Sequence, residues 1–252
     1  MNKRGSKAGI YLLIVILLIL LVSGSALAVI YLQSQKQIIP DTTSVDASDT
    51  SQPVISNDNN IPSNKLINAK HIYQLENWPT GCESVSAVMA LNHAGINISV
   101  DDFIDNYLTC TNPPFNPYKS FGGNPRDKSG LGCYAPVIKE AVDKVLENTN
   151  HAAKLLSGVS LEELCKEYIA NDVPVILWGT LDMAEPFEGK TWEFEGETFT
   201  WIRPEHCLLL IGYNEENYAF CDPMHEESVT YYPKAKTENA YTALHSQAII
   251  IE

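Results

Sequence analysis

Cys82 stands in the stretch NWPTGCESVSAVMALN, residues 77–92, where a turn gives way to a helical pattern. A cysteine attacks as its thiolate, and unpaired amides at a helix N-terminus lower its pKa. Thr80-Gly81-Cys82-Glu83 has the form of a capping box, which places Cys82 two positions into the first turn, with Glu83 working partly against the effect. A nucleophilic cysteine also needs a base close in space, usually a histidine, and a third group that fixes the tautomer of that histidine. Of six histidines, His206 opens the apolar run HCLLLIGY, a rigid mount. Asp222 closes YAFCD, the paired strand of the same hairpin, so it can receive the His206 ring N–H. Gln74, upstream of Cys82, can bring its side-chain amide beside the Cys82 backbone N–H to hold an oxyanion. Together these four residues could attack a carbonyl and stabilise the resulting tetrahedral oxygen.

The elements that must position them follow from periodicity. Val85, Val88, Met89 and Leu91 recur at roughly helical spacing until Gly95 stops the run. Ser99 with Asp102 and Ser160 with Glu163 form two further capping boxes, and Pro136 opens a helix with Val137, Ala141 and Val145 on one face beside Ile138 and Val142. The last third changes period. VPVILWGT reads as a buried strand, TWEFEGETFTW as a hairpin turning at Glu195-Gly196, HCLLLIGY with YAFCD as a second hairpin, and QAIIIE as a closing strand. Helices first and mostly antiparallel strands after give the class α+β.

Over nearly all of residues 66–252 the domain resembles the C39-like, bacteriocin-processing-type papain-fold cysteine peptidases, in particular stand-alone exported bacterial members. The resemblance rests on YQLENWPTGCESVSAVMALNHAG, NPYKSFGGNPRDKSGLGCYAPVI, VPVILWGT, EHCLLLIGYNEENYAFCDP and the closing SQAIII, in that order. It implies a papain-like fold, with an N-terminal helical lobe carrying the nucleophile and a C-terminal antiparallel sheet. It implies Cys82 as nucleophile, His206 as general base and acid, Asp222 as its orienter and Gln74 as oxyanion donor, acting on a peptide or protein substrate without a cofactor. Leader-peptide processing, the task of members fused to export transporters, does not carry over, because the chain has no transporter or ATPase part. Two alternatives stay open: a Cys-His cell-wall peptide hydrolase, although an Asp-Cys-Ser-Gly-like nucleophile segment is missing, and a non-catalytic surface binding module on a peptidase scaffold.

Composition sets the surroundings. The chain has 252 residues, 45% hydrophobic and 19% charged, enough for one domain with a core and an appendage. Residues 1–9 form a basic segment with Lys3, Arg4 and Lys7, and residues 10–32 an apolar run long enough to span a bilayer. Basic residues before the span predict a cytoplasmic N-terminus and an exported domain. Ala26-Leu27-Ala28 resembles a signal-peptide cleavage site, but the run continues through Val29, Ile30 and Leu32, which favours an uncleaved anchor. Residues 33–64 read as a polar stalk and 65–252 as the peptidase-like domain.

The net charge is −14; residues 1–40 hold four cations and no acid, so the remainder carries −18. Such a domain repels phosphate backbones, which argues against nucleic-acid binding and favours a basic or neutral peptide, with cell-wall contact open. With Cys82 reserved as a thiol, Cys110 and Cys133 flank a loop that a disulfide would staple. A metal site from His206, Cys207, Cys221 and Asp222 is disfavoured, because adjacent strand residues point to opposite faces. Trp178, Trp192, Trp201 and Phe199 surround the segment leading to His206; they read as packing, with residues 182–203 as an insertion overhanging the cleft.

Overall fold

The apolar runs of the last third assemble into one antiparallel sheet, and the helix opened by Cys82 packs against it. The computed structural model describes residues 62–252; the expected span over residues 10–32 and most of the stalk lie outside them. Among the described residues no helix is long and apolar enough to cross a membrane. In chain order the elements are β1 (Lys65–Leu66), α1 (Cys82–His93), α2 (Val100–Asn106), β2 (Cys110–Thr111), β3 (Phe121–Gly122), α3 (Ala135–Leu146), β4 (Ala153–Ser157), α4 (Leu161–Glu167) and β5 (Val175–Thr180). There follow β6 (Phe187–Phe194), β7 (Glu197–Arg203), β8 (Glu205–Tyr213), β9 (Asn217–Cys221), β10 (Thr230–Pro233), α5 (Lys234–Ala243) and β11 (Gln247–Ile251).

The main sheet runs β10-β9-β8-β5-β11-β4, with β1 added to β8. Its central strands are buried on both faces: every residue of β5 and of β11 is buried, as is all of β8 after Glu205. That explains why these strands read as continuous apolar runs rather than as alternation. The β6–β7 hairpin forms a separate two-stranded sheet and turns at Glu195-Gly196 as expected, with φ of +53° and +84° there. The α+β class holds. Several elements depart from the helices-then-strands order: the two-residue strands β1, β2 and β3 and the longer β4 come early in the chain, β4 pairing with β11, and α5 packs on β5 late in it.

Residues Cys82 to Leu91 of α1 are all buried, so the helix threads the core rather than floating on it. Ser86 donates to the Cys207 carbonyl at 3.1 Å, which ties the first turn of α1 to the residue beside His206. Ser99 and Ser160 cap α2 and α4 as expected, accepting from the amides of Asp102 and Glu163. The capping box at Thr80 does not form. Gly81 is the N-cap residue, without a side-chain bond. The loop at 124–127 claims Thr80 instead: its amide donates to the Pro125 carbonyl and its hydroxyl to the Asp127 carbonyl at 2.9 Å. Glu83 is thereby free to turn inward.

All six cysteines are free thiols, so the expected Cys110–Cys133 staple is absent. Cys110 is exposed, whereas Cys133 is buried and fixed through its backbone, its amide donating to Glu83 and its carbonyl accepting from Trp178 Nε1.

Candidate active site

Each of the four residues picked out by sequence is buried, and three independent ties bring them to one place. The segment leading from β1 lies along the end of β8 and β9: the Gln74 amide donates to the Pro223 carbonyl, and His71 Nε2 bonds the Asp222 carbonyl at 2.9 Å. A turn then forms as the Trp78 amide donates back to the Gln74 carbonyl, and α1 begins four residues later. The outcome is a cleft of about 350 Å³ whose lining includes Gln74, Cys82, Trp201, Glu205 and His206. The hairpin insertion contributes Trp201 and Arg203 to the wall, as expected of residues overhanging the cleft.

At the histidine end the Asp222 carboxylate is fully paired. His206 Nε2 lies 2.7 Å from Asp222 Oδ1, although the β8–β9 register sets Leu209, not His206, opposite Cys221. The contact is therefore made diagonally, by side chains past the end of the ladder. Asp222 also accepts from the Met224 amide at 2.9 Å and, through Oδ2, from the Tyr232 hydroxyl at 2.6 Å. Burial alone would raise the Asp222 pKa. The His206 bond and charge, with the Tyr232 and Met224 donors, outweigh it and lower the carboxyl from 3.8 to about 2. An ionised Asp222 on Nε2 fixes the proton of a neutral His206 there and leaves Nδ1 as the basic nitrogen.

Tyr232 was not found from the sequence. It sits in the short edge strand β10, in TYYP, with no chemical signature of its own; only the β9–β10 pairing brings it over Asp222.

The cysteine end is arranged differently. Cys82 opens α1, and its amide has no backbone acceptor among the described residues. Its sulfur does not sit as an activated thiolate, however. Sγ donates to Glu83 Oε2 at 3.3 Å, and burial, then the charges of Glu83 and Glu205, push the thiol pKa well up. This departs from the expectation of a lowered pKa: burial and the neighbouring carboxyls push it up instead. Glu83 itself accepts from the Cys133 amide at 2.7 Å. Burial raises the pKa of both acids, and the Glu83 charge raises Glu205 further.

Donor atoms of Cys82, Glu83 and Glu205 lie within 4.8 Å of one another, the one grouping of metal-type donors among the described residues. The set disfavoured on sequence does not converge: His206 bonds Asp222, whereas Cys221 Sγ points to backbone carbonyls. Gly132, at φ +101°, closes over the two acids. A Cβ there would lie 2.7 Å from Glu83 Oε1 and 3.1 Å from Glu205 Oε2, so no side chain fits.

Gln74 is only 1% exposed, not a surface glutamine. Its Nε2 donates to the Pro79 carbonyl at 3.2 Å, and Gln74 lines the same cleft as Cys82.

The model of the Peptidase_C39 like family matches residues 66–249. The chain belongs to that family. A crystal structure described as a C39-like peptidase from Bacillus anthracis is 30% identical, covers 75% of this chain and 97% of its own, and superposes with a TM-score of 0.66. The uncharacterized protein YvpB of Bacillus subtilis (strain 168) is 25% identical over 187 residues, which cover 68% of this chain and 69% of YvpB. The peptidase domain of Streptococcus ComA, a bifunctional ABC transporter involved in quorum sensing, is 18% identical over 73% of this chain and 97% of its own, with a TM-score of 0.44. Within this C39-like cysteine peptidase fold, the Glu205 carboxyl beside the thiol and the tyrosine behind Asp222 are the features that sequence motifs did not reveal, whereas Glu83 is legible as an acid next to Cys82.

Proposed function

We propose that this C39-like protein is a cysteine peptidase that hydrolyses peptide bonds through Cys82, His206 and Asp222. Cys82 Sγ turns from Glu83 toward the cleft, gives its proton to His206 Nδ1 and attacks the peptide carbonyl. The oxyanion rests on the Cys82 amide and the Gln74 side-chain amide. His206 then protonates the leaving amine, and a water deprotonated by His206 hydrolyses the thioester. Asp222, held ionised, stabilises the imidazolium that forms at both steps. The observation that carries this reading is the 2.7 Å His206–Asp222 bond, set in the same cleft as a helix-opening Cys82 and a buried Gln74.

We further propose that residues 10–32 anchor the protein in the cell membrane with the peptidase domain outside. Support comes from Lys3, Arg4 and Lys7 preceding the apolar run. Labelling whole cells with a membrane-impermeant maleimide tests the orientation, because Cys110 is exposed: the reading predicts labelling without lysis.

One contact favours a non-catalytic binding module instead, namely the thiol donating to Glu83 rather than to His206. Digestion of an unbiased peptide library, with cell-wall stem peptides included, separates the two. Wild-type protein should cleave peptides and Cys82→Ala should not. Binding without cleavage by either would favour the module.

A further inference from the structure

Beside the catalytic cleft lies a second cavity of about 310 Å³, whose walls include Phe115, Leu131, Trp192 and Trp201, with Lys190 and Arg203 at its edge. Leu131, Trp201 and Arg203 line both spaces, so the cavity adjoins the cleft that holds Cys82. Its aromatic wall is rigidly built. Trp192 stacks on Phe115 at 5.5 Å between ring centroids and donates its indole N–H to the Phe115 carbonyl at 2.7 Å. Trp201 stacks at 4.9 Å on Tyr134. Preformed apolar cavities of this size suit one large side chain with its adjoining backbone.

The edge of the cavity is unusual for this protein. The sequence from residue 41 onward carries −18, yet no acid lines the cavity, and neither Lys190 nor Arg203 makes an ion pair or side-chain hydrogen bond among the described residues. The Arg203 position is built. The β6–β7 ladder slips between Glu188 and Thr191, and Gly189 in that irregularity leaves room for the arginine stem. A Cβ on Gly189 would come within 2.8 Å of Arg203 Cγ and Cδ. Charges farther than about 8–10 Å away are screened at physiological salt, so these two local cations, not the overall charge, set what binds at the edge.

We propose that this cavity is the specificity subsite of the peptidase. It takes a large apolar side chain, aromatic or branched aliphatic, from a peptide that carries a carboxylate next to that residue. The proposal rests on the peptidase reading above and reverses, for this subsite, the preference for basic or neutral peptides drawn from total charge. The carboxylate can belong to an Asp or Glu side chain or to the end of the peptide.

Full-length Cys82→Ala protein and fluorescein-labelled peptides test it by anisotropy, without turnover. A peptide with Phe flanked by Glu is compared with its Phe→Ala and Glu→Gln versions, with Glu on either side, and with a peptide ending in Phe as free acid or amide. Phe→Ala should weaken binding roughly tenfold or more, as loss of a buried aromatic does. Loss of the carboxylate should weaken it roughly three- to fivefold, the scale of an exposed ion pair. Lys190→Glu with Arg203→Glu, both on the surface, should erase the carboxylate preference while keeping the Phe preference. Trp192→Ala should do the reverse.

Whichever of the internal Glu or the free terminus gives the tighter binding identifies the carboxylate source. Peptides that bind within twofold of one another, or a carboxylate preference that survives the double charge reversal, would overturn the proposal. Failure of the wild-type protein to cleave peptides would strike the proposed function alone, since this readout needs no chemistry.

Discussion

The two ends of the candidate site are built on opposite electrostatic plans. At the histidine end every charge is matched: Asp222 takes three donors, from His206, Tyr232 and Met224, and stays ionised down to about pH 2. At the cysteine end two carboxyls crowd a buried sulfur, and each group there is pushed toward its neutral form. In the proposed mechanism the base, His206, is ready before substrate arrives, and the nucleophile, Cys82, is not. The proposed mechanism therefore requires the sulfur to leave Glu83 as the thiol is activated.

The largest expected effect tests the prepared end. Asp222→Asn should lower kcat/KM by on the order of 10²- to 10⁴-fold, because the imidazole loses its fixed tautomer and its counter-charge. A loss of less than tenfold in peptide hydrolysis would remove Asp222 from the mechanism.

The unprepared end has its own test in Glu83→Gln, which keeps an acceptor for the Cys133 amide and removes the charge beside sulfur. The pH midpoint for alkylation of Cys82 by iodoacetamide should fall by about one unit. An unmoved midpoint would mean that burial alone holds the thiol neutral.

The two ends should also respond oppositely to pH. Asp222 has a depressed pKa, so the stability it contributes is present above the ordinary aspartate range and is lost as pH falls from about 4 through about 2. Glu83 and Glu205 have raised pKa values. Their contribution is full below about pH 4 and is lost as pH rises through their folded values. Urea denaturation of wild type and Glu83→Gln between pH 5 and 9 should show a loss of stability toward alkaline pH that the variant reduces. Parallel curves would contradict the assignment.

The smallest effect belongs to Tyr232→Phe, which removes one hydrogen bond to a charged acceptor and should cost about 1.5–3 kcal/mol of stability. Because one support for ionised Asp222 is gone, the acid loss of stability should begin at higher pH. An unchanged acid transition would make the tyrosine a bystander.

Sequence reading recovered what periodicity and residue chemistry encode. The HCLLLIGY and YAFCD hairpin placed His206 within reach of Asp222, and the apolar runs VPVILWGT and QAIIIE became fully buried strands. It failed where long-range contacts decide. Thr80 has the local form of a cap, but a loop more than forty residues away competes for its hydroxyl and amide. Cys110 and Cys133 flank one loop, yet one is exposed and the other is fixed in the core.

The state of Cys82 could not be read from the helix N-terminus, because Glu205, 123 positions away, contributes to it. Glu83 and Glu205 did carry a legible signal: each is the immediate neighbour of a proposed catalytic residue. What the sequence lacked was the burial that makes them matter.

The most direct measurement is the rate and site of covalent labelling by a peptide carrying a thiol-reactive warhead, mapped by mass spectrometry in wild-type and His206→Ala protein. A single adduct on Cys82 is expected, formed at least tenfold more slowly when His206 is gone. An adduct on exposed Cys110 instead, or a Cys82 rate indifferent to His206, would contradict the proposed mechanism.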